Sequence, residues 1–568
     1  MPTARKPRST STSNVSRARR TATRTAVVAP HSSSLNARLG ARTEFRIYPS
    51  IGIARVGDCK DSFIIGPEAP GIVPEGPFRG ADGGIKPQGA RFRIYRVDID
   101  SNENETVVAE VLPKASVKIK WTVQLANRKA AGAKILDTLA RNRKPGLRNK
   151  GFNRNKLVIS AEGSIEGTNS EGLPMTGSIE FAQGKSAGKV VKNISLATLR
   201  TDANGRLVVV GGAGMSGSPF NSSLNDFADN DGWYDSVSDG PVSATLTIDG
   251  RAQPVIPAWV VVTVPRYAPG IYGIVTWYDQ AVGMARTNDD GTHESPRTTS
   301  FTRDIYPILK RADGLHWVQK GAHGNAMRPL SDDARLREFQ NSQEARARLF
   351  AKLTPLNDEA PGFEDLPPSK MPRLNSGSNP DLKGPTWVYP SLTWYQLAHV
   401  QKWVAGNFDA DWPGHEPQSI PFDKIPLRDQ PRAINEAALE ACVGGAFAPG
   451  IEGTYDIARL GTYHSERHFR RDLRVDPKHP AGFLTEKMAL PWQADFADCG
   501  DNWWPSQRPV NVTTQDGNID RWDRGITGVG RGGHLNMVDF WPGLAFILRD
   551  AASGKFAEVG RQAINGVS

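Results

Sequence analysis

The strongest constraint on the fold is the spacing of apolar runs in the first half of the chain. Between Thr43 and Leu309 these runs are short and rich in Val, Ile and Thr: FRIYPSIGIARVG, RFRIYRVDI, VVAEVLPKASVKIKWTVQL, KLVISAEGSIEG, RLVVVGG, VSATLTIDG and PAWVVVTVP. Gly, Asn, Asp and Pro separate them. β-Branched residues suit a pleated surface and the separators stop helices, so the runs predict strands in antiparallel, sandwich-like sheets. No helix-length segment follows each strand, which argues against a doubly wound parallel fold.

From about Lys310 the texture changes. DDARLREFQNSQEARARLFAKL places Leu and Phe at helical spacing, and Tyr395, Leu397, Val400, Trp403 and Val404 predict a further helix. INEAALEACVGG predicts another, closed by a left-handed glycine cap at Gly444-Gly445. The Pro-rich stretch NDEAPGFEDLPPSKMPRLNSGSNPDLKGP reads as a long surface loop. The fold class is therefore α+β, with a β-rich N-terminal half and a mostly helical C-terminal half. The expected divisions are a disordered arm over 1–43, a β-rich domain over 44–310 and a mainly helical domain over 311–568. There is no internal repeat.

Charge narrows the function classes. The net charge is +10, and nine basic residues with no acidic one stand between Met1 and Thr43. The remainder is nearly neutral, so a body-wide nucleic-acid surface is not indicated. The arm is rich in Ser, Thr and Arg and reads as solvated and disordered. It lacks the apolar stretch of a secretory signal, which points to the cytoplasm. No run approaches the roughly 18 apolar residues of a membrane span. Three cysteines, Cys59, Cys442 and Cys499, are too few for a disulfide framework.

Several motifs tempt and fail. Gly212 to Gly217 matches GxGxxG after a strand, but SPFNSSLNDFADNDG follows and starts no helix to hold a pyrophosphate. A nucleophile elbow at Ser216 fails because Ser218 replaces the last glycine. In the acidic loop from Asp226 to Asp239, aligning Gly232 with an EF-hand glycine puts Phe227 at the first ligand position. His464 and His468 are four apart with no third ligand at zinc spacing, and read as surface or packing histidines. Cys442, at the end of its helix, reads as structural.

The informative stretch is MALPWQADFADCGDNWWPSQRP, Met488 to Pro509. If it is helical from Trp492, Asp495 and Cys499 share one face. A carboxylate beside a thiol and several indoles is unusual, although an aromatic core with one buried cysteine would have the same composition.

The string PWQADFADC…WWPSQRP resembles the signature of the LodA-like family, the quinoprotein L-lysine 6-oxidase and glycine oxidase group. RIYPSIGIARVGD, IKPQGARFRIY, DGWYDSVSDGPV, PAWVVVTVPRYAP and AALEACVGGAFAPGIE agree with it in order, so the resemblance spans most of residues 44–550. It implies a cysteine tryptophylquinone, in which a cysteine sulfur is joined to a tryptophan that is oxidised to an ortho-quinone. Carried over by motif, the cysteine is Cys499. The tryptophan is Trp541, in NMVDFWPGLAFIL, where Ala545 stands in place of the family's glycine; Trp522 is the alternative. Asp495 matches the aspartate needed for cofactor formation, and is the candidate base. Tyr234 resembles an aromatic residue of the substrate site, with a packed loop tyrosine as its plain alternative.

The resemblance implies an oxidoreductase acting on the CH–NH2 group of an amino acid. An amine attacks the quinone as in covalent catalysis, the quinone takes the electrons, and oxygen is reduced to hydrogen peroxide as ammonia is released. It further implies a flavin-dependent maturation protein and a homo-oligomer, and includes members exported without a hydrophobic signal. Two other readings are a dehydrogenase with a different electron acceptor, and an inactive scaffold whose basic arm binds a partner.

Overall fold

The computed structural model describes residues 41–135, 145–319, 333–351, 392–444, 452–498, 506–526 and 532–562. The disordered-arm expectation for residues 1–40, the Pro-rich loop, Gly445 and Cys499 lie outside the described residues.

Each of the seven predicted runs forms strand. The main strands are β1 (Arg42–Tyr48), β2 (Ile51–Arg55), β3 (Gln88–Ile99), β4 (Val117–Asn127), β5 (Ile159–Glu166), β6 (Leu173–Phe181), β7 (Lys189–Thr201), β8 (Leu207–Gly211), β9 (Ser238–Ile248) and β10 (Ala258–Thr263). Hydrogen bonds join them in the order β5-β4-β9-β10-β2-β3-β8-β7-β6, within a sheet of 14 strands that includes β1 on β3. Period-two burial sets the faces: Val117, Ile119, Trp121, Val123 and Leu125 of β4 point inward, while Lys118, Lys120 and Gln124 are exposed. The sheet curls until its end strands meet. Gly177 of β6 packs on Ile159 and Ser160 of β5, and Gly163 of β5 on Met175 of β6.

The pairing is not uniformly antiparallel. β2 and β10 run parallel at the centre, with Ile51 opposite Trp259 and Ile53 opposite Val261. Both are buried along their whole length. One face, with Ala54, Val260 and Val262, joins the main core; the other, with Ile51, Ile53, Trp259 and Val261, meets Trp277, Ala281 and Leu439 from helices. Strands covered on both faces lose the polar alternation of a one-sided sheet, which is the usual setting for parallel pairs.

Among the described residues the longer helices begin at Trp277, ahead of the boundary expected at 310, and continue through the second half: α1 (Trp277–Ala285), α2 (Tyr306–Gly314), α3 (Trp394–Val404), α4 (Gln430–Glu440), α5 (Trp492–Asp498) and α6 (Gly532–Phe540). The first predicted helix is two, Asp333–Asn341 and Gln343–Phe350, because Ser342 accepts from the Ala345 N–H and caps the second. Thr393 and Gln396 close a capping box on α3. The glycine cap expected after α4 is a correction. The helix ends at Glu440, with Ala441 still right-handed. Gly444 serves close approach instead, since a Cβ there would stand 2.5 Å from the Thr276 carbonyl carbon. Two short hairpins, Asn511–Thr513 with Ile519–Arg521 and Phe546–Arg549 with Phe556–Val559, interrupt the helical half.

The acidic loop binds the halves together. Asn230 Nδ2 donates to the Leu490 carbonyl at 3.0 Å, and the Leu490 N–H donates to the Ala228 carbonyl at 2.9 Å. Asp239, fully buried, accepts from Trp259 Nε1 at 2.8 Å, from the backbone N–H groups of Leu484 and Thr485, and from Thr485 Oγ1 at 2.6 Å. Burial pushes its carboxyl up to about 6 against the pull of these donors. A raised folded pKa adds stability that is complete below the unfolded value and is lost as pH rises through about 6. Asp239→Ala is expected to lose on the order of 3 kcal/mol in denaturant unfolding at neutral pH, because four donors lose their acceptor. Asp239→Asn should cost a similar amount, since its NH2 would face donors.

Candidate active site around Trp541

Two of the candidate residues, Asp495 and Trp541, stand on α5 and directly after α6, two helices that pack against each other. α5 follows Pro491 and carries Trp492, Gln493, Asp495 and Phe496, all buried. α6 ends at Phe540, and Trp541 opens the following turn. The Trp492 and Trp541 rings meet edge to face, with centroids 5.3 Å apart and planes at 70°. Trp492 meets Phe496 in the same way at 5.0 Å. His534 Nε2 and Asp498 Oδ2, 2.8 Å apart, link the two helices beside the position that precedes Cys499. Cys499 itself, with Trp503 and Trp504, lies outside the described residues.

Trp541 is held from several sides. Its backbone carbonyl accepts from the Tyr267 hydroxyl at 2.8 Å. The benzo edge of its indole faces Gly214, the middle glycine of the GxGxxG run. A Cβ there would stand 2.6 Å from Trp541 Cζ2 and 2.9 Å from Cη2, and Gly214 has a φ of +72°. The glycines that imitate a dinucleotide loop thus serve backbone conformation and contact with an indole. The same loop is tied to α5: Ser216 Oγ donates to Gln493 Oε1 at 2.6 Å, and Gln493 Nε2 donates to the Gly214 carbonyl at 3.2 Å.

Trp522, the alternative, is fully enclosed. Its Nε1 donates to the Ala545 carbonyl at 2.8 Å, and its ring lies 4.9 Å from that of Tyr267 and under the Arg508 guanidinium. Arg508 is itself buried, bonded to the Phe496 carbonyl and paired with Asp523 at 2.6 Å. The arginine of WWPSQRP therefore fixes the end of α5, while its Gln507 bonds to the Pro265 carbonyl. Tyr234 is buried in a two-residue strand paired with Ser216-Gly217, and burial raises its phenol pKa. Cys442 is remote in sequence and buried; its Sγ lies 3.5 Å from Arg55 Nη2, and burial pushes the thiol up. His464 and His468 sit against Phe469.

Beneath α5 lies an ion pair that no local pattern announces. Lys129 and Asp235 are both fully buried and bonded to each other. Lys129 also donates to the Ala489 carbonyl at 2.8 Å. Asp235 accepts the Trp492 N–H at 3.1 Å and Asn127 Nδ2 at 2.7 Å. Burial lowers the Lys129 ammonium to about 8, opposed by the charges of Asp235 and, more weakly, Asp495. A carboxylate on β-domain residues thus caps the first turn of the helix that bears Asp495.

Against known proteins, residues 48–262 match the family described as L-lysine epsilon oxidase N-terminal, and residues 373–518 match the L-lysine epsilon oxidase C-terminal domain. The chain belongs to the LodA-like family. The L-lysine 6-oxidase of Marinomonas mediterranea is 28% identical over 542 residues, covering 80% of this chain and 70% of that protein. The crystal structure of the L-Lys epsilon-oxidase from the same organism aligns with a TM-score of 0.68 at 23% identity, over 91% of this chain and 94% of that one. The structure of its Schiff base intermediate with L-Lys gives the same score and identity, over 91% and 95%. At that identity the structural likeness speaks for the fold. Within the family matches lie Tyr234, Asp495 and Cys499; Trp522 and Trp541 follow the C-terminal match.

Three variants probe this packing. Gly214→Ala should lose about 1–3 kcal/mol in thermal unfolding, through backbone strain and the clash with Trp541, and should alter the tryptophan fluorescence. Lys129→Met should cost about 3–5 kcal/mol, because Asp235 is left buried and unpaired, whereas Lys129→Met with Asp235→Leu should recover most of that loss.

Proposed function

We propose that the chain is a quinoprotein amine oxidase that deaminates a primary amine, a free amino acid, to an aldehyde or oxo acid with release of ammonia and hydrogen peroxide. The similarity to an L-lysine 6-oxidase over 80% of the chain carries the reading. The cofactor we assign is cysteine tryptophylquinone, made from Cys499 and Trp541. Such a group supplies an electrophilic carbonyl for the amine and takes up the two electrons of its oxidation.

The residues present fit that group. The benzo edge of the Trp541 indole, which would carry the added oxygens, faces the backbone of Gly214, where any side chain would collide with it. α5 ends at Asp498, directly before Cys499, and packs on the helix that leads into Trp541. Trp522 offers a poorer seat, because Tyr267, Phe496 and Arg508 already cover its ring.

The roles of the other residues follow from position. Asp495, 1% exposed and flanked by Trp492 and Phe496, is the base that takes the proton from the amine-bearing carbon. The indole and phenyl rings exclude water from it. Tyr234 borders the substrate on the far side of the Gly214–Gly217 loop. Oxygen is the electron acceptor, a flavin-dependent protein completes maturation, and the protein works as a homo-oligomer. The β-rich half serves as the platform for the quinone-bearing domain.

Peptide mass spectrometry on protein made together with its maturation partner tests the assignment. A cross-linked peptide joining Cys499 and Trp541, carrying two added oxygens, is the expected result, together with peroxide production from an amino acid. Separate, unoxidised peptides would refute the redox reading, and a cross-link to Trp522 would reassign the quinone. Asp495→Ala should lower turnover by about 10²-fold or more, or abolish cofactor formation. Normal cross-linking with normal turnover in that variant would remove Asp495 from the mechanism.

A further inference from the structure

A cavity of about 510 Å³ lies among the helices of the second half, lined by none of the residues around Trp541. Its volume is within the roughly 300–1,000 Å³ of small-molecule sites. Four guanidinium groups line it, those of Arg286, Arg297, Arg303 and Arg471, against two carboxylates, Glu294 and Asp304.

Those carboxylates are already shared. Glu294 pairs with Arg467, with Arg471 at 3.2 Å and with Arg286 at 3.6 Å. Asp304 pairs with Arg303 at 2.9 Å and accepts the Ser300 N–H at 2.8 Å. Among the described residues Arg297 has no ion pair. The surplus charge is felt inside the cavity. Burial, and then the charges of Arg286, Arg297 and Arg470, push the Arg471 guanidinium below its usual range. Burial lowers His399 as well; Asp304 opposes the shift, while Arg303, Lys402 and Arg286 add to it.

A concave surface with an excess of one charge focuses its field. Guanidinium forks match the oxygens of phosphoryl and carboxylate groups, which they bind in bidentate pairs. Ser295, Thr298 and Tyr395, which also line the cavity, carry hydroxyls that can donate. We propose that this cavity binds a small multivalent oxyanion, a phosphoryl or clustered-carboxylate group, at a site separate from the amine-oxidising centre.

Titration calorimetry on the full-length protein tests this, with inorganic pyrophosphate and citrate as probes at about 0.01 M ionic strength, where screening is weakest. One saturable site with a Kd of about 1 mM or tighter is expected. Arg297 is exposed at the rim, so Arg297→Gln should leave the unfolding temperature unchanged while weakening binding. Arg297→Gln with Arg471→Gln should weaken it by about tenfold or more. Tighter binding of pyrophosphate would mark the natural ligand as a phosphoryl compound, and tighter binding of citrate as a polycarboxylate. No saturable binding, or binding unchanged in the double variant, would overturn the proposal.

Discussion

The buried contact between Lys129 and Asp235 is the interaction on which the rest of the site depends. Lys129 stands two residues after β4, and Asp235 lies in the acidic loop before β9. Together they hold the Ala489 carbonyl and the Trp492 N–H, so the last loop before α5 and its first turn are fixed to the sheet. Asp239 repeats the device four residues on, gripping Leu484 and Thr485. The acidic loop thus joins the halves by hydrogen bonds to defined atoms. An apolar interface would bury surface equally well but would set the register of α5 less sharply.

Much of the fold was legible in the residues, and the exceptions have physical causes. Seven apolar runs became strands because their Val, Ile and Thr content left few other options. β6 and β7 went unread because Leu173–Phe181 puts Gly177 at an inward position and polar residues outward, and Lys189–Thr201 mixes Lys, Asn, Ser and Arg among its apolar residues. The parallel pairing of β2 and β10 is a tertiary fact: a continuous apolar run reveals burial on both faces but not the direction of its neighbour. Gly444 looked like a cap because a glycine after a helix usually is one, whereas here the backbone of Thr276 occupies the space.

The candidate site divides along the same line. Asp495 and its indoles stand together in sequence, and the structure keeps them together in α5. Gly214 and Trp541 are separated by more than three hundred residues, and nothing in a GxGxxG pattern distinguishes a glycine that faces phosphate from one that faces an indole. The absence of a following helix excluded the first use without suggesting the second. Lys129 and Asp235 left no trace of their own: Lys129 stands beside Arg128, and Asp235 is one of several aspartates in the acidic loop, so nothing marks the two as partners.

Energetics explain why such a pair would persist. Removing two charges from water costs several kcal/mol per ion, and an apolar pair of similar size often does as well or better for stability. The pair must therefore be judged by what else it does. Here both carboxylate oxygens and the ammonium are spent on neighbours at fixed distances: Asn127, Trp492 and Ala489. Chemistry between groups on two helices loses rate steeply when one shifts by even about 1 Å. A short helix of seven residues cannot hold its own register, since helices under about 12 residues are marginal alone. The charged clamp supplies that register from the sheet, and the cost of burying it is offset by the precision with which α5 meets Trp541.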